Sequence, residues 1–445
     1  MKPTLAALAL LCLAAPTRAQ DNVLVVIADD LGVDRVGAYT EHPDPGHTPR
    51  IDQLAAQGVL FRNAWSSPFC SPTRAGVLTG RHNFRTGIGQ PVGYDLAGGY
   101  ALSVRETLLP EVLAHAAVPW HSVALGKWHL AAVNQGGLLH PLLSGFDAHV
   151  GTMTSVGSAP SNGTYFSFEK NVNGKLVHVD GYATTDTTDD AIRLLDATPE
   201  PWFAWLAYNA PHVPLHKPPQ ELHSYDLQGP PQLTAGKHQR AAVEALDTEL
   251  GRLLDALDPA VLARTTIVFL GDNGTDDIAT DAPFLPDHAK GTVYEGGVNV
   301  PLIVAGPRVA HPGSECGALV QTLDLFATVA EIAGVDPAAV VPPGTQLDAL
   351  SLLPYLAQPE RPSLRRWVYT ETFLPNGPGP WISHDRAIRE ARFKLLRRTG
   401  LPDEFYDLLA DPFEQVNLLG GPLTRQQTAI HAALDKALDG MLPPP

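Results

Sequence analysis

Five short runs dense in apolar, β-branched and aromatic residues recur along the chain, and each gives way to polar or turn-forming residues. Residues 23–27 precede Ala28-Asp29-Asp30, 122–125 precede Gly126-Lys127-Trp128-His129, and 202–208 precede Asn209-Ala210-Pro211-His212. Residues 265–270 precede Gly271-Asp272-Asn273-Gly274, and 300–305 precede Gly306-Pro307. The runs lack strict alternation, the pattern of strands buried on both faces of a mostly parallel sheet. Segments with helical spacing separate them, at 47–58, 104–116, 188–197, 237–257 and 322–333. Alternating β and α elements predict an α/β fold with a large, mostly parallel central sheet sandwiched by helices. In such sheets ligands gather at the carboxyl ends of the strands, which is where the polar residues named above fall.

Two stretches break this rhythm. Residues 151–187 are rich in Gly, Ser, Thr and Asn and read as a long surface excursion. After Pro342-Pro343 and the prolines at 359 and 362, short strand-like runs follow at 367–373, 386–390, 393–397 and 404–408, then a helical segment at 424–442. That pattern predicts a small C-terminal antiparallel α+β subdomain. The first residues differ again: Lys2, an apolar stretch from Leu5 to Ala15 and a small-residue site ending at Ala19 have the form of a secretory signal. The expected organisation is therefore a signal at 1–19, a catalytic domain at 20–360 and a C-terminal subdomain at 361–445, in a protein exported to the periplasm or beyond the cell. No later apolar run reaches the about 18 residues needed to span a bilayer. With 31 Lys+Arg against 47 Asp+Glu the net charge is −16, and no long basic run exists, which argues against nucleic acid as a partner.

Against that acidic background certain residues stand out. Asp29, Asp30, Asp272 and Asn273 follow predicted strands and offer only oxygen donors. Taken singly, each reads first as a turn or cap residue. Together, three crowded carboxylates call for a cation, and oxygen-only ligation suits Ca²⁺ or Mg²⁺ rather than zinc. Lys127, His129, His212, Lys290 and Arg74 supply the opposite charge and suggest a convergent anion site. The segment Cys70-Ser71-Pro72-Thr73-Arg74 predicts a helix N-terminus with Ser71 as N-cap and Pro72 at the first helical position, leaving Cys70 where an anion is favoured. A cysteine phosphatase would need arginine six positions after its cysteine, and Gly76 stands there. Of the three cysteines, Cys12 leaves with the signal, and a Cys70–Cys316 disulfide is the ordinary expectation for the remaining pair in an oxidising compartment. Otherwise Cys316 reads as a small buried hydrophobe.

These residues resemble the sulfatase family. Its signature, Cys-x-Pro-x-Arg followed by Thr-Gly, is matched by Cys70, Pro72, Arg74, Thr79 and Gly80. Asp29-Asp30 and Asp272-Asn273 resemble the family's two metal-binding pairs. Gly126-Lys127-Trp128-His129, Pro211-His212 and Lys290-Gly291-Thr292 resemble the segments that carry its lysines and histidines. The resemblance extends to Glu404-Phe405-Tyr406-Asp407-Leu408 and Asn417. It implies a sulfuric ester hydrolase of arylsulfatase type in which a formylglycine-generating enzyme oxidises Cys70 to formylglycine. The implied metal ligands are Asp29, Asp30, Cys70, Asp272 and Asn273, with Ca²⁺ or Mg²⁺ as the ion. The implied catalytic set is Cys70, Arg74, Lys127, His129, His212 and Lys290, acting on a small-molecule or carbohydrate sulfate ester. Phosphonate monoester and phosphodiester hydrolases share the architecture and the signature and form the alternative reading, as does a non-catalytic binding protein of the same fold.

Overall fold

The computed structural model describes residues 21–95 and 99–442, so the expected signal at 1–19 lies outside the described residues. One large sheet contains β1 (Asn22–Ala28), β2 (Gly58–Trp65), β3 (His121–Gly126), β4 (Ala148–Gly151), β5 (Gly163–Thr164), β6 (Ser167–Val172), β7 (Lys175–Asp180), β8 (Trp202–Ala207), β9 (Thr265–Gly271), β10 (Leu302–Ala305) and β11 (Ser314–Gln321). The strand order is β11-β2-β10-β9-β1-β8-β3-β4-β6-β5, with β7 paired to β6. The middle of the sheet, β9-β1-β8-β3-β4, is parallel throughout. Alternate residues of β1 enter different cores: Val23, Val25 and Ile27 face one, Leu24 and Val26 the other. That double burial is why these strands lack alternation in sequence. The Cys70–Thr79 and Asp324–Ile332 helices contribute Leu78 and Phe326 to the first core. The Pro49–Gln57, Ala183–Ala197 and Ala235–Ala256 helices contribute Leu54, Leu195 and Leu246 to the second.

Register positions the functional residues. β1 and β9 run level from Asn22↔Thr265 to Ala28↔Gly271, so Asp29 and Asp272 leave adjacent strands side by side. β3 and β8 are level at Gly126↔Ala207, which brings Lys127 out at the same edge.

Several elements differ from the sequence expectation. β10 runs antiparallel to both β9 and β2, so Gly306-Pro307 lies at the opposite edge from the other strand ends. Of 104–116, only Leu109–Leu113 is helical, because Pro110 lacks an amide hydrogen and is accommodated only in a first turn. The excursion at 151–187 holds β5, the β6–β7 hairpin and the first turn of the Ala183–Ala197 helix. Its strand signal was masked because β6 buries polar groups: Lys170 pairs with Asp186 and Asp190, and Asn171 bonds the Leu138 carbonyl. β2 and β11 are additional strands; β11 is interrupted by a register shift between Cys316 and Leu319.

The C-terminal sheet is antiparallel in the order β12 (Val368–Leu374), β13 (Ser383–Arg389), β14 (Phe393–Arg397), β15 (Glu404–Asp407). The Arg425–Asp439 helix, started by a capping box between Thr424 and Gln427, covers one face with Leu434 and Leu438. The other face packs Val368, Ala387 and Leu396 against Trp65, Val293 and Val298 of the large domain. Charges are buried in this joint: Lys394 Nζ lies 3.2 Å from Glu295 and 2.9 Å from Glu414, and Arg389 donates to Glu295 at 2.9 Å. Lys394→Met leaves Glu414 and part of Glu295 buried without their cation, and the expected destabilisation is about 3–5 kcal/mol. Urea unfolding of the variant checks it; a loss below about 1 kcal/mol would show that the network contributes no more than a surface pair.

Candidate active site

The carboxyl ends of β1, β9 and β3 and the start of the Cys70–Thr79 helix meet at one point. Asp30, in a left-handed conformation at φ 67°, donates its amide to Asp272 Oδ1 at 3.1 Å. Its own carboxylate accepts from Asn273 Nδ2 at 2.8 Å and Lys290 Nζ at 2.5 Å. Gly126 ends β3 at φ 77°, where a Cβ would lie 1.9 Å from the Ala207 carbonyl oxygen, so only glycine fits. Lys127 follows; its ammonium pairs with Asp29 and lies 3.7 Å from Cys70 Sγ. His129, left-handed at φ 61°, places Nδ1 3.2 Å from the same sulfur.

The helix begins at Cys70 itself, with Phe69 as its N-cap, so Ser71 is not the cap and Pro72 is the third helical residue. The Ser71 hydroxyl instead donates to the His129 carbonyl at 2.7 Å and accepts from the Val92 amide at 3.0 Å. Arg74, one turn on, is fully buried. It donates to Asp272 Oδ2 through Nε at 3.0 Å and Nη2 at 2.7 Å, and to the Lys127 carbonyl at 2.5 Å. His212 Nε2 lies 3.7 Å from Asp30 Oδ2. All ten residues singled out in the sequence thus join one contact network. The Cys70–Cys316 bridge that count and compartment alone suggest is not formed: both cysteines are free, and Cys316 lies on β11 in the apolar core.

The chain matches the sequence profile of the Sulfatase family over residues 21–335, and that of "N-sulphoglucosamine sulphohydrolase, C-terminal" over residues 287–441. The chain belongs to the sulfatase family. It is 30% identical over 388 residues to N-acetylgalactosamine-6-sulfatase of Rattus norvegicus, covering 80% of this chain and 69% of that protein. It is 29% identical over 441 residues to Arylsulfatase A of Homo sapiens, covering 90% and 83%. The fold superposes on the crystal structure of Ps i-CgsB in complex with k-i-k-neocarrahexaose with a TM-score of 0.78 at 25% identity, covering 95% of this chain and 92% of that one. The structure of BT4656 in complex with its substrate D-Glucosamine-2-N, 6-O-disulfate shares the fold at a TM-score of 0.73 and 19% identity, covering 95% and 97%. This sulfatase is a sulfuric ester hydrolase.

Electrostatics at the sulfatase site follow from burial and charge. Burial pushes the Cys70 thiol up to about 11, and Lys127 only partly offsets it, so the sulfur is an unionised thiol at neutral pH. Burial, then Lys127 and Arg74, hold His129 well below the usual imidazole range, leaving it neutral and able to accept a proton. Burial also lowers His212, against the opposing pull of Asp30 and Asp29. Burial works to raise Asp29, but Lys127, His212, Arg74 and Lys290 together hold it well below the carboxylate range. Burial works to lower Lys290, yet Asp30 leads a set of anions that keeps it charged. The donor set fits a hard divalent cation. Asp29 Oδ1 and Asn273 Oδ1 are buried and lack any hydrogen-bond partner among the described residues. Donor atoms of Asp29, Cys70 and Asp272 lie within 4.8 Å of one another.

Three further residues shape the sulfatase site. Ser155 Oγ lies 3.4 Å from His212 Nε2. Thr275 ties the loop after β9 to that after β1, accepting from the Gly32 amide at 3.2 Å and donating to Asp34 at 2.7 Å. Asp276 flanks Lys290 at 3.6 Å. Thr275 and Asp276 follow Asp272-Asn273-Gly274 directly, so proximity in sequence was a usable signal. Ser155 carried none, lying within a Ser- and Gly-rich stretch.

Proposed function

We propose that this sulfatase hydrolyses a carbohydrate or aryl sulfate ester through formylglycine formed from Cys70, with Ca²⁺ or Mg²⁺ held by Asp29, Asp30, Asp272, Asn273 and the group at position 70. The observation that carries the reading is the setting of Cys70. It is a buried, unionised thiol at a helix N-terminus, facing an ammonium, a neutral imidazole and a cluster of carboxylate oxygens. Such a thiol is a poor nucleophile, whereas the helix terminus and surrounding cations suit a sulfate group.

Formylglycine hydrate supplies a nucleophilic oxygen and a second hydroxyl through which the sulfated centre can collapse back to the aldehyde. A divalent cation held by Asp29, Asp30, Asp272 and Asn273 would supply Lewis acidity and positive charge beside position 70. Asp272, held by Arg74, accepts the proton of the attacking oxygen. Lys127 and Lys290 hold the sulfate oxygens and stabilise charge as the S–O bond breaks. His212 in its protonated form, or Lys290, gives a proton to the ester oxygen, releasing the alcohol. His129, whose Nδ1 lies 3.2 Å from the Cys70 sulfur, would take the proton of the remaining hydroxyl at position 70 as inorganic sulfate is released.

The substrate class draws support from the relatives named for sulfated sugars. We further propose export, modification by a formylglycine-generating enzyme, and a boundary near residue 360 between catalytic and C-terminal parts. Two measurements test the reading. Peptide mass spectrometry of active protein is expected to find residue 70 as an aldehyde lighter than cysteine. Turnover of 4-nitrophenyl sulfate is expected to exceed that of bis(4-nitrophenyl) phosphate. Unmodified cysteine in fully active protein, or preference for the phosphate diester, overturns it.

A further inference from the structure

Tyr165 stands between β5 and β6, in the stretch whose sequence suggested only a surface excursion, and it is 1% exposed. Its hydroxyl lies 2.7 Å from the Asn209 carbonyl oxygen and 2.7 Å from that of His212. One phenolic proton therefore bridges both ends of the turn carrying His212, whose own amide donates to the Asn209 carbonyl at 3.0 Å. The clamp is itself supported. The His216 ring stacks on Tyr165 at 3.7 Å and 22°, and the Tyr182 hydroxyl lies 3.0 Å from His216 Nε2. On the other side of the turn, Asn209 Nδ2 donates to Thr152 Oγ1 at 3.0 Å and the Val156 amide donates to Asn209 Oδ1 at 3.1 Å.

We propose that Tyr165 is a positioning residue for His212, and that the stretch around β5–β7 exists in part to aim that imidazole at the ester oxygen. The inference rests on the proton-donor role of His212 given above. A side chain that merely filled the core would work through its ring, and the apolar surroundings of Tyr165 accommodate a ring equally well without its oxygen. Both hydrogen bonds from Tyr165 to the turn come from its hydroxyl. A displacement of about 1 Å in a reacting group costs up to about 100-fold in rate, and proton donation matters most where the departing alcohol is a poor leaving group.

Tyr165→Phe tests this. The expected kcat falls about 10- to 100-fold for an alkyl or sugar sulfate, with KM changing little, and about 3-fold or less for 4-nitrophenyl sulfate. The leaving-group dependence of the rate therefore steepens, which general destabilisation would not produce. His212→Ala is expected to show the same selectivity, and Tyr165→Phe added to it should cause no further loss. Equal losses with both leaving groups, or losses that multiply in the double variant, overturn the assignment. If His212→Ala itself shows no leaving-group selectivity, the donor role fails instead. The double variant then decides alone: absence of further loss supports positioning, and multiplied losses overturn it.

Discussion

Cys70→Ala is expected to remove turnover, by at least about 10⁴-fold, while leaving the fold and the affinity for inorganic sulfate largely intact. Cys70 sits at the head of its helix and anchors no core cluster through its sulfur, whereas Arg74, Lys127, His212 and Lys290 reach the same carboxylate cluster from four other positions. Calorimetric titration with sulfate separates binding from chemistry. Cys70→Ser is the sharper variant. Its hydroxyl can attack sulfur once, but a single oxygen cannot expel sulfate by forming an aldehyde. The expected record is at most one equivalent of alcohol and a sulfated serine found by mass spectrometry. Repeated turnover by a variant with serine confirmed at position 70 would overturn the formylglycine mechanism and favour direct attack by water.

Exhaustive chelation should also lower activity, by about 100-fold or more, with Ca²⁺ or Mg²⁺ restoring it and Zn²⁺ failing to do so. The physical ground is the donor set. Asp29, Asp30, Asp272 and Asn273 present hard oxygens, and the buried Asp29 Oδ1 and Asn273 Oδ1 have no hydrogen-bond partner among the described residues. Burial and the neighbouring Asp29 charge push Asp272 up to about 7, so the carboxylates resist ionising together unless a cation compensates. Full activity after chelation, or better recovery with zinc than with calcium, would refute the oxygen-ligated assignment.

Much of this arrangement is legible in the chain alone, for a physical reason. A strand buried on both faces must be apolar along its length, so β1, β8 and β9 announce themselves locally, and the polar residues at their ends mark one edge of the sheet. Asp29-Asp30, Lys127, His129, His212 and Asp272-Asn273 follow from that rule, and Cys70 with Arg74 from the spacing of a single helical turn. Only the tertiary structure decides which strands are neighbours. β1 lies between β8 and β9, both far away in sequence, and that pairing sets Asp29 beside Asp272. The reversal of β10 is invisible locally because parallel and antiparallel buried strands have the same composition. Cys70 and Cys316 form a plausible disulfide by compartment and count, yet one begins a helix among the buried charged residues and the other lies on β11 in the apolar core. Lys394, Ser155 and Tyr165 are ordinary residues in sequence. Their roles arise from what faces them across the fold, and hydrogen bonds or ion pairs between distant segments leave no period or spacing to read.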